Sequence, residues 1–153
     1  MSVRNVIHDT VVVRRSYEAP VERVYRAWTD PSVLERWYVP GDDTWSAKMV
    51  EHEFRVGGCK RITFGPPDET FVEDCTYVDI VPNRRICYAM SIARAETRIT
   101  VSMVTVELSP QGSRCDVRVT DQVALLDGGD TGADRERGWG ETLDKLPAAL
   151  ARA

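Results

Sequence analysis

FVEDCTYVDIVPNRRICYAMSI, residues Phe71–Ile92, reads as two strands joined by a turn. Phe71–Val81 and Arg84–Ile92 are strand-forming runs, and Pro82–Asn83 between them is a turn pair, so the segment predicts an antiparallel hairpin. The next stretch repeats the design. Thr97–Ser109 and Arg114–Leu125 form a second predicted hairpin across Pro110–Gln111–Gly112–Ser113. Upstream, Cys59–Phe64 reads as a strand closed by the turn Gly65–Pro66–Pro67–Asp68. Before it, Met49–Val56 alternates: Val50, His52, Phe54 and Val56 point one way, Glu51, Glu53 and Arg55 the other. A period of two marks a strand with one wet and one buried face. Gly57–Gly58 reads as a bend or bulge.

The two ends of the chain supply the rest. Thr10–Tyr17 is a valine-rich strand that stops at Ala19–Pro20. Pro20 suits the first turn of a helix, where its missing N–H costs nothing, and Val21, Val24, Tyr25 and Trp28 recur at helical spacing. Asp30–Pro31 is a cap followed by proline at the first helical position, with Val33, Leu34 and Trp37 as the apolar side of a second short helix. Pro40–Gly41–Asp42–Asp43 is a loop. After the flexible Asp127–Gly128–Gly129–Asp130, with Asp130 or Thr131 as cap, Trp139, Leu143, Leu146 and Leu150 form one apolar stripe. Pro147 inside that pattern predicts a kink or break near Leu143–Leu146. The small residues of Gly138–Trp139–Gly140 are expected to let the helix approach the sheet while Trp139 plugs the space beneath; a helix starting only near Trp139 is the other reading. The order is one strand, two short helices, about six or seven antiparallel strands, and one long helix. The last helix must bury its stripe, and the inner face of the sheet is the only large apolar surface available to it. The fold class is therefore α+β, one domain over 1–153, with residues 1–9 as a loosely ordered N-terminus.

Composition narrows the function. The chain has 153 residues, 42% hydrophobic and 29% charged, a globular balance that buries roughly two-thirds of the unfolded surface with no staple. The net charge of -4 and the scattered basic pairs Arg14–Arg15, Lys60–Arg61 and Arg84–Arg85 argue against nucleic acid. The N-terminus MSVRNVIHDT has no apolar signal region, and no run approaches the roughly 20 residues of a membrane span, so a cytoplasmic location is expected. Cys59, Cys75, Cys87 and Cys115 match no zinc spacing and read as reduced thiols acting as small hydrophobes. Neither Gly57–Gly58 nor Gly128–Gly129 leads into a phosphate-binding loop, and no G-x-S-x-G or H-E-x-x-H is present. No metal and no cofactor are expected.

Four motifs carry a family resemblance: RRSYEAPVERVYRAWTDPSVLERWYVP (Arg14–Pro40), EFRVGG (Glu53–Gly58), YVDIVPNRRI (Tyr77–Ile86) and ERGWGETLDKLPAAL (Glu136–Leu150). In this order, over about residues 10–151, they resemble the START-like (SRPBCC) superfamily, in the group related to the C-terminal domain of the heat-shock protein 90 ATPase activator. The resemblance implies a helix-grip: a curved antiparallel sheet wrapped around a long C-terminal helix, with a cavity between them and two short helices closing one end. The chain departs from the family at Glu53, where aspartate is common, at Cys75, where glycine is common, and at Met90, near which an aromatic is common. The last two changes would reshape a cavity.

The expected cavity lies between the long helix and the strands that carry Phe54, Tyr77 and Met90. Aromatic walls with a few polar groups are what a small-molecule site requires. Its candidate ligand-binding residues are Trp37, Tyr38, His52, Phe54, Phe64, Tyr77, Tyr88, Met90, Met103 and Trp139; Trp28 and Trp45 belong to the same aromatic supply, and the plain alternative for each is core packing. Candidate catalytic residues are His52, Asp79 and Tyr77. A histidine facing a cavity is an acid or base near neutral pH, and its alternative is a neutral core histidine. Asp79 shares odd parity with Tyr77 and so a strand face; its alternative is an exposed acid paired with Arg84 or Arg85. Glu73, Asp74 and Asp121 are further acids in strands, and His8 has no expected role. Three functions follow: binding of a small hydrophobic or aromatic ligand, lipid- or polyketide-like; a cyclase- or hydratase-like enzyme; or, as the family name suggests, a module that regulates a chaperone ATPase. The expected partner is a small apolar ligand, and an exposed sheet face also allows a homodimer.

Overall fold

The computed structural model describes residues 4–152. Seven strands form one antiparallel sheet: β1 (Val6–Tyr17), β2 (Ser46–His52), β3 (Cys59–Gly65), β4 (Phe71–Val81), β5 (Arg85–Arg94), β6 (Thr97–Gln111) and β7 (Arg114–Leu126). Their order is β1-β7-β6-β5-β4-β3-β2, so β1 crosses over to pair with the last strand and every other neighbour is a sequential hairpin. Both predicted hairpins form. Asn83, with φ 62, makes the turn between β4 and β5; asparagine tolerates this left-handed conformation better than most residues.

The helices are α1 (Val21–Thr29), α2 (Pro31–Trp37), α3 (Gly132–Asp144) and α4 (Leu146–Arg152). Asp30 caps α2 by accepting from Ser32 N at 3.0 Å, with Pro31 in the first position. Thr131 caps α3 through the Asp134 N–H at 3.1 Å. The helix thus starts well before Trp139. The C-terminal helix breaks at Lys145, two residues before Pro147, which sits in the first turn of α4 where it leaves no hydrogen bond unmade. Leu143 and Leu146, on either side of the break, are fully buried, and the Tyr17 hydroxyl donates to the Leu143 carbonyl at 2.8 Å. The predicted stripe therefore does face the concave side of the sheet.

Three local expectations change. β1 begins at Val6 rather than Thr10, because Val6–Asp9 pair with Leu126–Val123 at the end of β7; the first three residues lie outside those described. Pro20 is the cap of α1 and precedes its first turn. The alternation over Met49–Val56 does not hold. β2 stops at His52, and a bulge between Met49 and Glu51 reverses which side chains face inward. Ala47 and Met49 pack against the core before it, His52 and Phe54 are half-buried after it, and Val50 and Val56 are exposed, at 52% and 57%. One extra residue in a strand exchanges its faces.

Candidate functional site

The concave face carries alternating residues of each strand. Lys60, Ile62 and Phe64 come from β3, Phe71, Glu73, Cys75 and Tyr77 from β4, and Ile86, Tyr88, Met90 and Ile92 from β5. At the end nearest the chain segment Tyr38–Trp45, these side chains leave a half-open cavity of about 480 Å³. That is within the range of roughly 300–1,000 Å³ typical of small-molecule sites. Its floor is Phe64, Phe71, Met90 and Ile92; Tyr38, Pro40 and Trp45 cover one side, and Trp139 and Thr142 of α3 the other. Trp45 lies nearly parallel to Phe71, with centroids 5.8 Å apart and planes 9° apart, and Phe64 stacks on Phe71 at 5.4 Å. Trp45 reaches this position by folding back over Gly41, whose φ is +94; a Cβ there would come within 2.2 Å of the indole. Trp139 walls the cavity instead of plugging it. Its Nε1 donates to Asp121 Oδ2 at 2.9 Å, which fixes the ring edge-on to Tyr38. A Cβ at Gly138 would meet Pro40 of the covering loop at an ordinary 3.5 Å, whereas one at Gly140 would come within 3.1 Å of the Arg15 guanidinium of β1, so of the two glycines it is Gly140 that lies tight against the sheet, at a side chain.

Two buried ion pairs flank the cavity, and both are sites of high electrostatic stake. Lys60 is 1% exposed, and its Nζ lies 3.3 Å from Glu73 Oε2, with Glu73 on the cavity wall. The ammonium also sits over the rings of Tyr38 (3.6 Å) and Tyr88 (4.4 Å), a cation–π arrangement. Burial works against the Lys60 ammonium, but its acidic surroundings outweigh that and raise its pKa above the ordinary value. Its contacts, to the Glu73 carboxylate and over two aromatic rings, are those of a charge partner. The Cys75 thiol donates to the same Glu73 oxygen at 3.1 Å, and burial raises its pKa well above the usual thiol range, so it stays protonated. Cys75 is thus more than a small hydrophobe. The Tyr38 and Tyr88 hydroxyls meet at 2.5 Å. On the far wall Arg135 donates to Asp121 Oδ2 at 2.7 Å and to Ser102 Oγ at 3.0 Å, tying α3 to β6 and β7.

The predicted site residues divide. Tyr38, Phe64, Met90 and Trp139 line the cavity. Trp37 is fully buried against Trp28, with its Nε1 donating to the Ala27 carbonyl at 3.0 Å, and Tyr88 lies in the layer beneath Tyr38; both are core. Met103 is on the convex side, because Ser102, Val104 and Val106 take the inward positions of β6. His52, Phe54 and Tyr77 sit together at the opposite end of the concave face. There Phe54 meets Tyr77 edge-on at 4.9 Å and Tyr25 of α1 at 6.0 Å, so the space in which a cavity was expected is filled. His52 Nε2 bonds the Tyr77 hydroxyl at 2.9 Å, and its pKa is lowered by burial and then by Lys60, which keeps the ring neutral near pH 7. Burial raises the Tyr77 pKa to about 12. Asp79 does not share a face with Tyr77. A bulge between them turns Asp79 outward, where it accepts from Arg85 Nε at 2.5 Å. Asp74 is likewise paired at the surface, with Arg61. His8 is exposed on β1.

Lys60 and Glu73 were missed as site residues because charged side chains read as solvent-facing. A signal existed: Lys60 keeps step with Ile62 and Phe64, and Glu73 with Phe71, Cys75 and Tyr77. Elsewhere Glu51, Glu53 and Cys59 bring three potential metal-ligand atoms within 4.8 Å of one another. Both glutamates are exposed, Arg55 already pairs with Glu53, and no buried donor imposes a coordination geometry.

A family model described as activator of Hsp90 ATPase homolog 1-like protein matches residues 18–151. No curated protein matches the chain significantly. Among solved structures, an uncharacterized protein from Rhizobium leguminosarum is 33% identical with a TM-score of 0.88, over 99% of this chain and 100% of that one. The Mll3558 protein from Rhizobium loti is also 33% identical, with a TM-score of 0.83 over 95% of this chain and 99% of its own. DynU16, a protein of the dynemicin biosynthetic locus, is 20% identical with a TM-score of 0.68, covering 94% of this chain and 47% of that one; it shares the fold alone.

Proposed function

We propose that this chain, which belongs to the activator of Hsp90 ATPase homolog 1-like family, binds a small hydrophobic or aromatic ligand in the cavity between the sheet and α3. The observation that carries this reading is the 480 Å³ space itself, walled by Trp45, Phe64, Phe71, Met90 and Trp139 on the concave face. Ligand pockets are concave, mostly apolar and supplied with a few convergent polar groups; Glu73, Tyr38 and Arg135 are those groups here. An enzymatic reading finds less support, since His52, Tyr77 and Asp79 do not reach the cavity. A chaperone-regulating role has no feature of this site in its favour.

Native mass spectrometry of the protein as purified, followed by thermal-shift titration with aromatics and lipids, tests the proposal. A co-purifying small mass, or a melting temperature that climbs with ligand concentration as linkage requires, is the expected result. An empty protein that no apolar compound stabilises would sink the reading.

A further inference from the structure

We propose that the cavity selects a flat aromatic ligand bearing a neutral O–H or N–H donor, and that it receives that donor on the Glu73 oxygen facing the cavity. The inference rests on the ligand-binding reading above and narrows it to one chemistry. Glu73 belongs to the cavity wall, and its Oε2 is already engaged by the Cys75 thiol at 3.1 Å and the Lys60 ammonium at 3.3 Å. Among the described residues no donor reaches Oε1. A carboxylate oxygen on a largely buried wall takes its hydrogen bond from something, and at this position only water or a ligand is available to supply it.

Shape and charge settle the rest. Trp45, Phe64 and Phe71 stack with their planes nearly parallel, at interplanar angles of 9° to 25°, so a flat aromatic ligand can join the same stacking direction. Lys60 neutralises Glu73, so the pair has no net charge with which to attract a cation, and an amine cation would meet the ammonium behind the carboxylate. A ligand carboxylate has no proton to give and faces Glu73 directly. A purely apolar ligand would seal Oε1 from water with no partner. That loss is the kind by which a polar site rejects an analogue lacking its donor. A neutral phenol-type O–H or an aromatic N–H meets every condition.

Four probes decide it by calorimetry on the whole chain at neutral pH: 2-naphthol, 2-methoxynaphthalene, naphthalene and 2-naphthoate. We expect 2-naphthol to bind at least about tenfold tighter than its methyl ether, the scale of one hydrogen bond to a charged acceptor, and 2-naphthoate to bind weakest. The double variant Lys60→Met/Glu73→Leu removes both charges at once and keeps the wall packed. It should bind naphthalene at least as well as the unaltered chain and lose the preference for 2-naphthol. Equal binding of 2-naphthol and 2-methoxynaphthalene by the unaltered chain overturns the donor inference and leaves the ligand-binding reading standing. A preference that survives in the double variant overturns the assignment to Glu73. Binding of none of the four overturns the ligand-binding reading as well. The probe series on the unaltered chain decides the donor preference whether or not the variant folds.

Discussion

The concave face of the sheet is built of the same kinds of residue from end to end, yet one end is filled and the other hollow. Around Phe54 and Tyr77, helix α1 supplies Tyr25, β2 supplies His52, and four rings close on one another, edge to face except for the tilted pair His52–Phe54. Around Phe71 and Met90, the cover is a loop, Tyr38–Trp45, and the stretch of α3 that carries Gly138 and Trp139. A helix delivers a side chain to the sheet every turn; a loop with Pro40 and Gly41 delivers one large ring, Trp45, and leaves the rest open. The covering element, more than the strands, decides where the space lies. Between the two ends stands Lys60, under Tyr38 and Tyr88 and paired with Glu73.

That partition can be broken most severely at Lys60. Lys60→Met alone leaves Glu73 charged and unpaired on a buried wall, and should cost about 3–5 kcal/mol in urea unfolding; adding Glu73→Leu should recover most of it. If the single change is neutral, the pair does not hold the two ends together.

The contrast between filled and hollow sharpens with one enlargement made at two places on β5. Ile86→Phe, at a fully buried position away from the cavity, should cost about 1–3 kcal/mol through overpacking. Met90→Phe, at the cavity wall, should cost less than about 1.5 kcal/mol and weaken aromatic ligands. Equal costs would mean the void is not available in solution.

Tyr77→Phe tests the filled end more gently. It removes the hydroxyl bonded to His52 and should cost about 1 kcal/mol, with no effect on ligand binding. A loss of binding would connect the two ends.

The smallest effect is on pH dependence. His52 has its pKa held below 6.5 in the folded chain, so the unfolded chain binds the extra proton first. Its contribution is intact above about pH 6.5 and is lost as the pH falls through the folded value. His52→Gln should flatten that part of the stability curve between pH 7 and 5, while an unchanged slope would show that other groups set it.

Much of the fold is legible along the chain. Asp30–Pro31 and Thr131 announce helix starts through local hydrogen bonds, Pro147 announces the break at Lys145, and Pro82–Asn83 and Gly112–Ser113 mark hairpin turns. Each of these signals acts over a few residues, so each is written where it acts. Part of the cavity lining is legible for the same reason: Phe64 and Met90 keep inward parity on unbroken stretches of strand. The failures cluster where that parity is reset. The bulges after Met49 and Tyr77 turn Val50 and Asp79 outward, Val56 lies in the turn after β2 has ended, and nothing local marks a bulge at Val78.

The sequence by itself determined the antiparallel strands, the capped helices and the apolar stripe that the C-terminal helix must bury, because periodicity and capping are short-range physics; the helix-grip came from the family resemblance of its motifs. Only the tertiary structure decided which end of the sheet is hollow, and that Lys60 and Glu73 share the interior. Register brings Lys60 opposite Cys75 and Ile62 opposite Glu73, two strands whose pairing closes over a turn. A charge is stable in that interior only when its partner arrives from elsewhere in the fold, and a cavity exists only by what the covering elements fail to fill.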